Sequence, residues 1–198
     1  MEKAKRFYNG ALSKERTERE NKNACLARKL AADGIVLLKN DDRVLPLDIT
    51  KPVALFGSGA DKTIKGGTGS GDVNNRYNIS IYTGLKEAGI SITSTGWIND
   101  YNKRYMDARN LWREKVREDA SKTENTFEAY ASNPFIIPDG RDITDNDVKD
   151  AAAAIYVISR ISGEGRDRRK AEGDYYLSSS ERKDILCLGS KGIPVILV

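Results

Sequence analysis

The chain reads as an α/β protein built on a mostly parallel sheet sandwiched by helices, and three observations predict it. Apolar runs at Pro52–Phe56, Ala151–Ile158 and Ile193–Val198 lack the polar alternation of a half-exposed strand, so each reads as a strand covered on its surfaces. Helical patterns separate strand-like runs by short connections, a β–α–β rhythm that calls for parallel pairing. Glycine-rich chain then follows two of the runs, Gly57-Ser58-Gly59-Ala60 and Ser162-Gly163-Glu164-Gly165. The C-terminal ends of sheet strands are where open α/β folds place their ligand chemistry.

In order, residues 1–23 are polar and charge-rich and read as a helical lead-in. From Asn23, Ala24, Leu26, Ala27, Leu30, Ala31 and Gly34 recur at helical spacing, and Ile35–Asn40 follows as a short strand. Asp41-Asp42-Arg43 is a turn, left through Leu45-Pro46-Leu47. After the Pro52–Phe56 strand comes a loop over 65–75, KGGTGSGDVNN. Ile79–Ala88 is a helix with Ile81, Leu85 and Ala88 facing inward, Gly89 stops it, and Ile90–Thr93 is a strand. Residues 97–130 carry Tyr101, Tyr105, Ala108, Leu111, Trp112 and Val116 at helical spacing, giving one long amphipathic helix or a pair. Such a stripe reads as core packing, with Trp97 at its entrance open between core and a sugar platform. Asp142–Asp150 is a short acidic helix capped by Thr144 or Asp145. The final helix starts at Leu177–Glu181, where Ser178 and Glu181 fit a capping box. Ile185, Leu186 and Leu188 pack from it, and Gly189 and Gly192 end it. The last residue falls inside an apolar strand, so the chain is expected to be truncated there.

Composition narrows the chemistry. The chain has 198 residues, 31% charged and 39% hydrophobic, with a formal net charge of +4, within the range of ordinary globular domains. Basic residues are interleaved with acids, as in Lys14-Glu15-Arg16-Thr17-Glu18-Arg19-Glu20, which reads as a solvated helix face and not as a nucleic-acid surface. No long apolar span and no leader-like apolar core is present, so neither a membrane nor an exported location is expected, and a cytoplasmic one is. Cys25 and Cys187 lie far apart inside helical patterns and read as reduced core residues. Histidine is absent. That excludes Ser-His and Cys-His nucleophilic pairs and removes the commonest metal ligand, leaving carboxylates, Lys, Tyr and Cys to titrate.

Two stretches are candidate sites. In the first, Glu164 stands between Gly163 and Gly165 just past a buried strand, where glycines leave room for a ligand. In the second, Gly66, Gly67, Gly69 and Gly71 crowd one loop. That loop could expose backbone N–H groups to a phosphate, but the Walker and dinucleotide spacings are missing. A plain turn is the alternative.

The stretch Arg160-Ile161-Ser162-Gly163-Glu164-Gly165, then Asp167-Arg168, then Gly173-Asp174-Tyr175-Tyr176-Leu177, resembles the acid/base loop of glycoside hydrolase family 3. Residues 31–47, AADGIVLLKNDDRVLPL, resemble the start of that family's non-barrel α/β domain, and VALFG at 53–57 followed by a glycine-rich loop resembles its continuation. The likeness covers about 24–92 and 151–198. It implies a retaining β-glycosidase, foremost a β-glucosidase, acting on terminal β-linked sugars with no cofactor. Glu164 takes the general acid/base position, and Ser70, within Gly69-Ser70-Gly71, takes the place of a sugar contact, a role a hydroxyl suits because it both donates and accepts. Retaining enzymes need a second carboxylate about 5–5.5 Å from the first. The family's nucleophile is an aspartate on a (β/α)8 barrel, which nothing in this chain matches. The expected organisation is therefore a lead-in over 1–23 and an incomplete α/β sandwich over 24–198 with a helical insertion at about 97–150. The barrel is expected after residue 198, in the less common domain order. Its barrel and a β-glucoside or related oligosaccharide are the expected partners, with no nucleic acid and no membrane; a homo-oligomer stays open. The competing reading is a non-catalytic α/β module that binds sugar or phosphate through loop 66–71.

Overall fold

The computed structural model describes residues 15–41, 43–64, 66, 77–162 and 167–198. They fall into two units, one ending at Pro46 and one running from Leu47 to Val198.

The first unit holds α1 (Glu18–Asp33), which starts earlier than the apolar spacing implied. Its start is fixed by a capping box: the Glu20 N–H donates to Thr17 Oγ1 at 3.2 Å, and the Thr17 N–H donates to Glu20 Oε2 at 2.7 Å. Two orphan donors of the first turn are thereby satisfied. No residue of α1 is buried, and Cys25 is exposed. The expectation of a core Cys25 is thus corrected. Ile35–Leu38 forms no strand, and Leu38 is 91% exposed. A strand needs a neighbouring ladder, and no described residue supplies one. Past that stretch, Asn40 Nδ2 donates to Leu45 O at 2.8 Å and the Leu45 N–H donates to Asn40 Oδ1 at 3.1 Å.

The second unit is organised by a parallel sheet in the order β1 (Val53–Phe56), β2 (Ala153–Tyr156), β3 (Val195–Leu197). Val53 pairs with Ala153, and Ala154 with Val195. β1 and β2 are buried along their whole length, as their unbroken apolar runs require. The strand expected at Ile90–Thr93 is reduced to one parallel bridge between Ile92 and Val53. Ser94 replaces the rest: its buried Oγ accepts from the Leu55 N–H at 2.7 Å and donates to Leu55 O at 2.8 Å. One hydroxyl thus satisfies both polar groups of a residue on the β1 edge, which a longer strand would otherwise have to pair.

Around the sheet lie α2 (Ile81–Glu87), α3 (Thr95–Thr123), α4 (Thr126–Ser132), α5 (Asp145–Val148) and α6 (Ser179–Gly189). The 97–130 stripe is a helix pair, broken where Glu124 turns left-handed at φ 54° and Asn125 caps α4. Its aromatic residues at the N-terminal end are core, with Trp97 and Tyr101 buried and Tyr105 packed against them in part, whereas Phe127 is exposed. Trp97 is 1% exposed, stacks on Tyr101 at 5.2 Å and meets the edge of Phe56 at 5.4 Å. Trp97 is therefore packing under the sheet and not a sugar platform. Ile81 and Leu85 pack against the core as expected, but Ala88, Leu111 and Leu186 are exposed. Thr144 caps α5, with Asp147 Oδ2 accepting from the Thr144 N–H at 2.9 Å and from its Oγ1 at 2.7 Å. Among the described residues no helix is long and apolar enough to cross a membrane.

Candidate functional site

The two candidate residues, Glu164 and Ser70, lie outside the described residues, as does Arg166. What the structure does describe is the frame from which both stretches leave, at the C-terminal edge of β1 and β2.

The two exits begin in contact. Gly57 has φ 95°, and a Cβ added there would stand 2.2 Å from Val157 O and 2.7 Å from Val157 N. The Val157 N–H donates to Phe56 O at 2.9 Å. Only a residue without a side chain lets the backbone after β1 run this close to that after β2.

The chain leaving β1 is tied back before the glycine-rich stretch. Thr63 Oγ1 donates to Gly59 O at 2.7 Å and accepts from the Ile81 N–H at 3.2 Å. Ser80 Oγ donates to Asp61 Oδ1 at 2.7 Å, and Asn102 Nδ2 donates to Asp61 Oδ2 at 2.7 Å. Asp61 and Ser80 thus join the two sides of the 65–76 stretch.

The chain leaving β2 is tied back by Arg160. Its Nη1 and Nη2 donate to Glu181 Oε1 and Oε2 at 2.5 and 2.6 Å, a fork-to-fork pair in which the side chains are only 16% and 13% exposed. Glu181 is the third residue of α6 and also accepts from the Ser178 N–H at 2.8 Å. Burial on its own raises the Glu181 carboxyl, but the Arg160 guanidinium and the Ser178 N–H outweigh it and hold the group below the usual carboxylate range. Farther along, Arg168 pairs with Asp174, which also accepts from the Arg169 N–H at 2.5 Å. Asp167, beside that pair, is exposed.

Between these exits opens a cleft of about 110 Å³, lined by Gly57, Ser58, Tyr101, Tyr156, Ser159 and Arg160 among others, with Asp184 at its side. Tyr156 Oη donates to Asp184 Oδ2 at 3.0 Å. Burial pushes the Asp184 carboxyl up, against the pull of the Tyr156 bond and of Lys183. The same burial, with Asp184 alongside, keeps Tyr156 a neutral phenol. Tyr101 is buried, and its hydroxyl meets no hydrogen-bond partner among the described residues. The described residues contain no group of three or more acids, thiols or imidazoles fit to hold a metal ion.

This frame, a strand-end cleft with two tied loops, is what a family match explains. The C-terminal domain of glycosyl hydrolase family 3 matches residues 35–198. The chain belongs to glycoside hydrolase family 3. It is 32% identical to beta-glucosidase A of Butyrivibrio fibrisolvens over 93% of its own length, spanning 23% of that protein. In structure it is similar to beta-glucosidase 3B of Thermotoga neapolitana in complex with glycerol, at TM-score 0.64 and 37% identity, over 90% of this chain and 24% of that one. A beta-glucosidase from Paenibacillus barengoltzii gives TM-score 0.61 at 27% identity, covering 88% of this chain and 18% of that one. The expected α/β fold of this family 3 domain is therefore borne out. The chain spans about a quarter of the relatives' length or less.

The groups that sequence reasoning missed as part of the frame are Asp61, Glu181 and Asp184. Glu181 was legible only in its local capping role. Its pairing with Arg160, 21 residues away, leaves no trace in a periodicity window.

Proposed function

We propose that this family 3 domain supplies the general acid/base of a retaining β-glycosidase acting on β-glucosides, with Glu164 in that role. The observation that carries the reading is the family match over 35–198, which includes the Gly163-Glu164-Gly165 stretch leaving β2. The strand-end cleft and the tied base of that stretch support it, since retaining hydrolysis needs a carboxyl group held at a fixed place. Ser70 would offer a hydroxyl to the sugar from the loop that leaves β1. The nucleophilic carboxylate and most sugar contacts would come from a barrel domain of the same enzyme.

The mechanism assigns Glu164 two tasks. It first gives its proton to the glycosidic oxygen as the bond to the anomeric carbon breaks and the nucleophile bonds that carbon. It then takes a proton from the water that cleaves the glycosyl-enzyme bond. A neutral carboxyl at working pH requires its proton affinity raised by desolvation and by the nearby nucleophile.

The test is Glu164→Ala in the intact enzyme with an activated aryl glucoside. Deglycosylation should slow, and azide should restore turnover and yield a glycosyl azide, because an anion needs no base to attack. Absence of both effects would move the acid/base to another residue.

A further inference from the structure

We infer that Arg160 is a positioning residue for the proton transfer, a clasp that holds the base of the segment carrying Glu164. The inference rests on the acid/base reading above.

Arg160 has five N–H bonds, and five acceptors meet them. Nε donates to Asp174 O at 2.8 Å, Nη1 to Ser159 O at 2.9 Å and to Glu181 Oε1, and Nη2 to Tyr176 O at 3.4 Å and to Glu181 Oε2. These acceptors sit on both sides of the segment between Arg160 and Asp174, and on the first turn of α6. Asp174 O is shared with Arg168 Nη2, at 2.7 Å, so a second arginine ties the far side of the same segment. Glu181 is in turn fixed by Ser178. A loop whose ends are joined has far fewer conformations than one left open, and a carboxyl that must reach a glycosidic oxygen gains directly from that restriction.

The chemistry requires arginine. A lysine at 160 keeps the charge but offers one point of three donors and no planar fork, so it cannot hold both oxygens of a carboxylate and three separate carbonyls together. A structural ion pair alone would need only the Glu181 fork. The additional bonds from the same guanidinium to Asp174 O and Tyr176 O single out the loop base as what is held.

The experiment uses Arg160→Lys and Glu181→Gln in the intact enzyme, beside Glu164→Ala. Each is assayed with two substrates, cellobiose or an alkyl glucoside, whose leaving group must be protonated, and 2,4-dinitrophenyl glucoside, whose leaving group need not be. Misplacing the acid should lower kcat/KM for the first class by on the order of 10²-fold, with little change for the second. Azide should restore part of the kcat lost on the dinitrophenyl substrate. A variant that merely folds less well would lose kcat/KM equally on both substrates, and that result overturns the positioning role. If Glu164→Ala shows the leaving-group dependence and azide rescue while Arg160→Lys does not, the clasp is refuted and the acid/base reading stands. If Glu164→Ala shows neither, the reading and the clasp fall together.

Discussion

Replacing Gly57 with alanine tests whether the two strand exits are as tightly set against each other as the backbone implies. Two costs add. The φ of 95° at Gly57 is one that L side chains rarely adopt, worth about 1–3 kcal/mol. The new methyl would also lie 2.2 Å from Val157 O and 2.9 Å from Val157 C. Both are backbone atoms of a residue directly after a buried strand, so no side chain can swing aside, and overpacking of this kind costs about 1–3 kcal/mol. The sum, roughly 2–6 kcal/mol, is a large part of the 5–15 kcal/mol that holds a typical domain together. Urea unfolding followed by the fluorescence of Trp97 and Trp112 reads the loss directly. Gly96→Ala is the matched control: Gly96 lies in α3, and an added Cβ there meets nothing within 4 Å. The control should be neutral or stabilise by up to about 1 kcal/mol through helix propensity. A Gly57→Ala loss below about 1 kcal/mol, comparable with ordinary surface changes, would refute the close approach of the two strand exits.

Two further tests concern charge. The fold raises the Asp184 carboxyl, so its contribution to stability is full below the unfolded value of about 3.9 and is lost as pH rises through the folded value. Asp184→Asn, whose amide oxygen can still accept from Tyr156, should therefore raise Tm at pH 7 and lose that advantage as pH falls toward 4. Equal Tm values across that range would show that burial does not raise the Asp184 carboxyl. Asp147 behaves in the opposite sense. Burial would raise it, but Arg141 at 2.6 and 2.8 Å and the Thr144 N–H hold it low. Its stabilisation is present above about pH 4 and fades as pH drops through the depressed folded value. Asp147→Ala should cost about 2–3 kcal/mol at pH 7, below the figure for a fully buried pair because Arg141 remains 28% exposed. The cost should shrink in acid, and a penalty that stays constant with pH would rule out the ion pair as its source.

The parts of this fold that the sequence makes legible are those whose cause is local. Unbroken apolar runs located β1, β2 and β3, and the spacing of Ser178 and Glu181 located the start of α6. What escaped had causes distant in sequence. Ile90–Thr93 has the composition of a strand, yet only Ile92 bridges, because the Ser94 hydroxyl takes the place of the ladder at Leu55, 39 residues away. Ile35–Leu38 has a strand's composition too, but strand formation depends on a partner edge and not on composition. In the candidate site, Glu164 and Ser70 are singled out by motifs alone, whereas Arg160 to Glu181 and Asp61 to Ser80 and Asn102 join elements that no short window spans.

Those long-range ties bear on the proposal that Glu164 is the acid/base, because they fix the described residues on either side of its segment. Glycines beside Glu164 leave room for a substrate but supply no rigidity of their own. The described residues beside the two stretches are held by a guanidinium with all five donors engaged on the β2 side, and by a carboxylate bonded by Ser80 and Asn102 on the β1 side. Gly57 sets the spacing between the two bases, since the exits touch there backbone to backbone. Each base can therefore be loosened separately, and Gly57→Ala shifts both at once. Arg160→Lys should then act on the two steps that use the acid/base, whereas Gly57→Ala should change stability and turnover together.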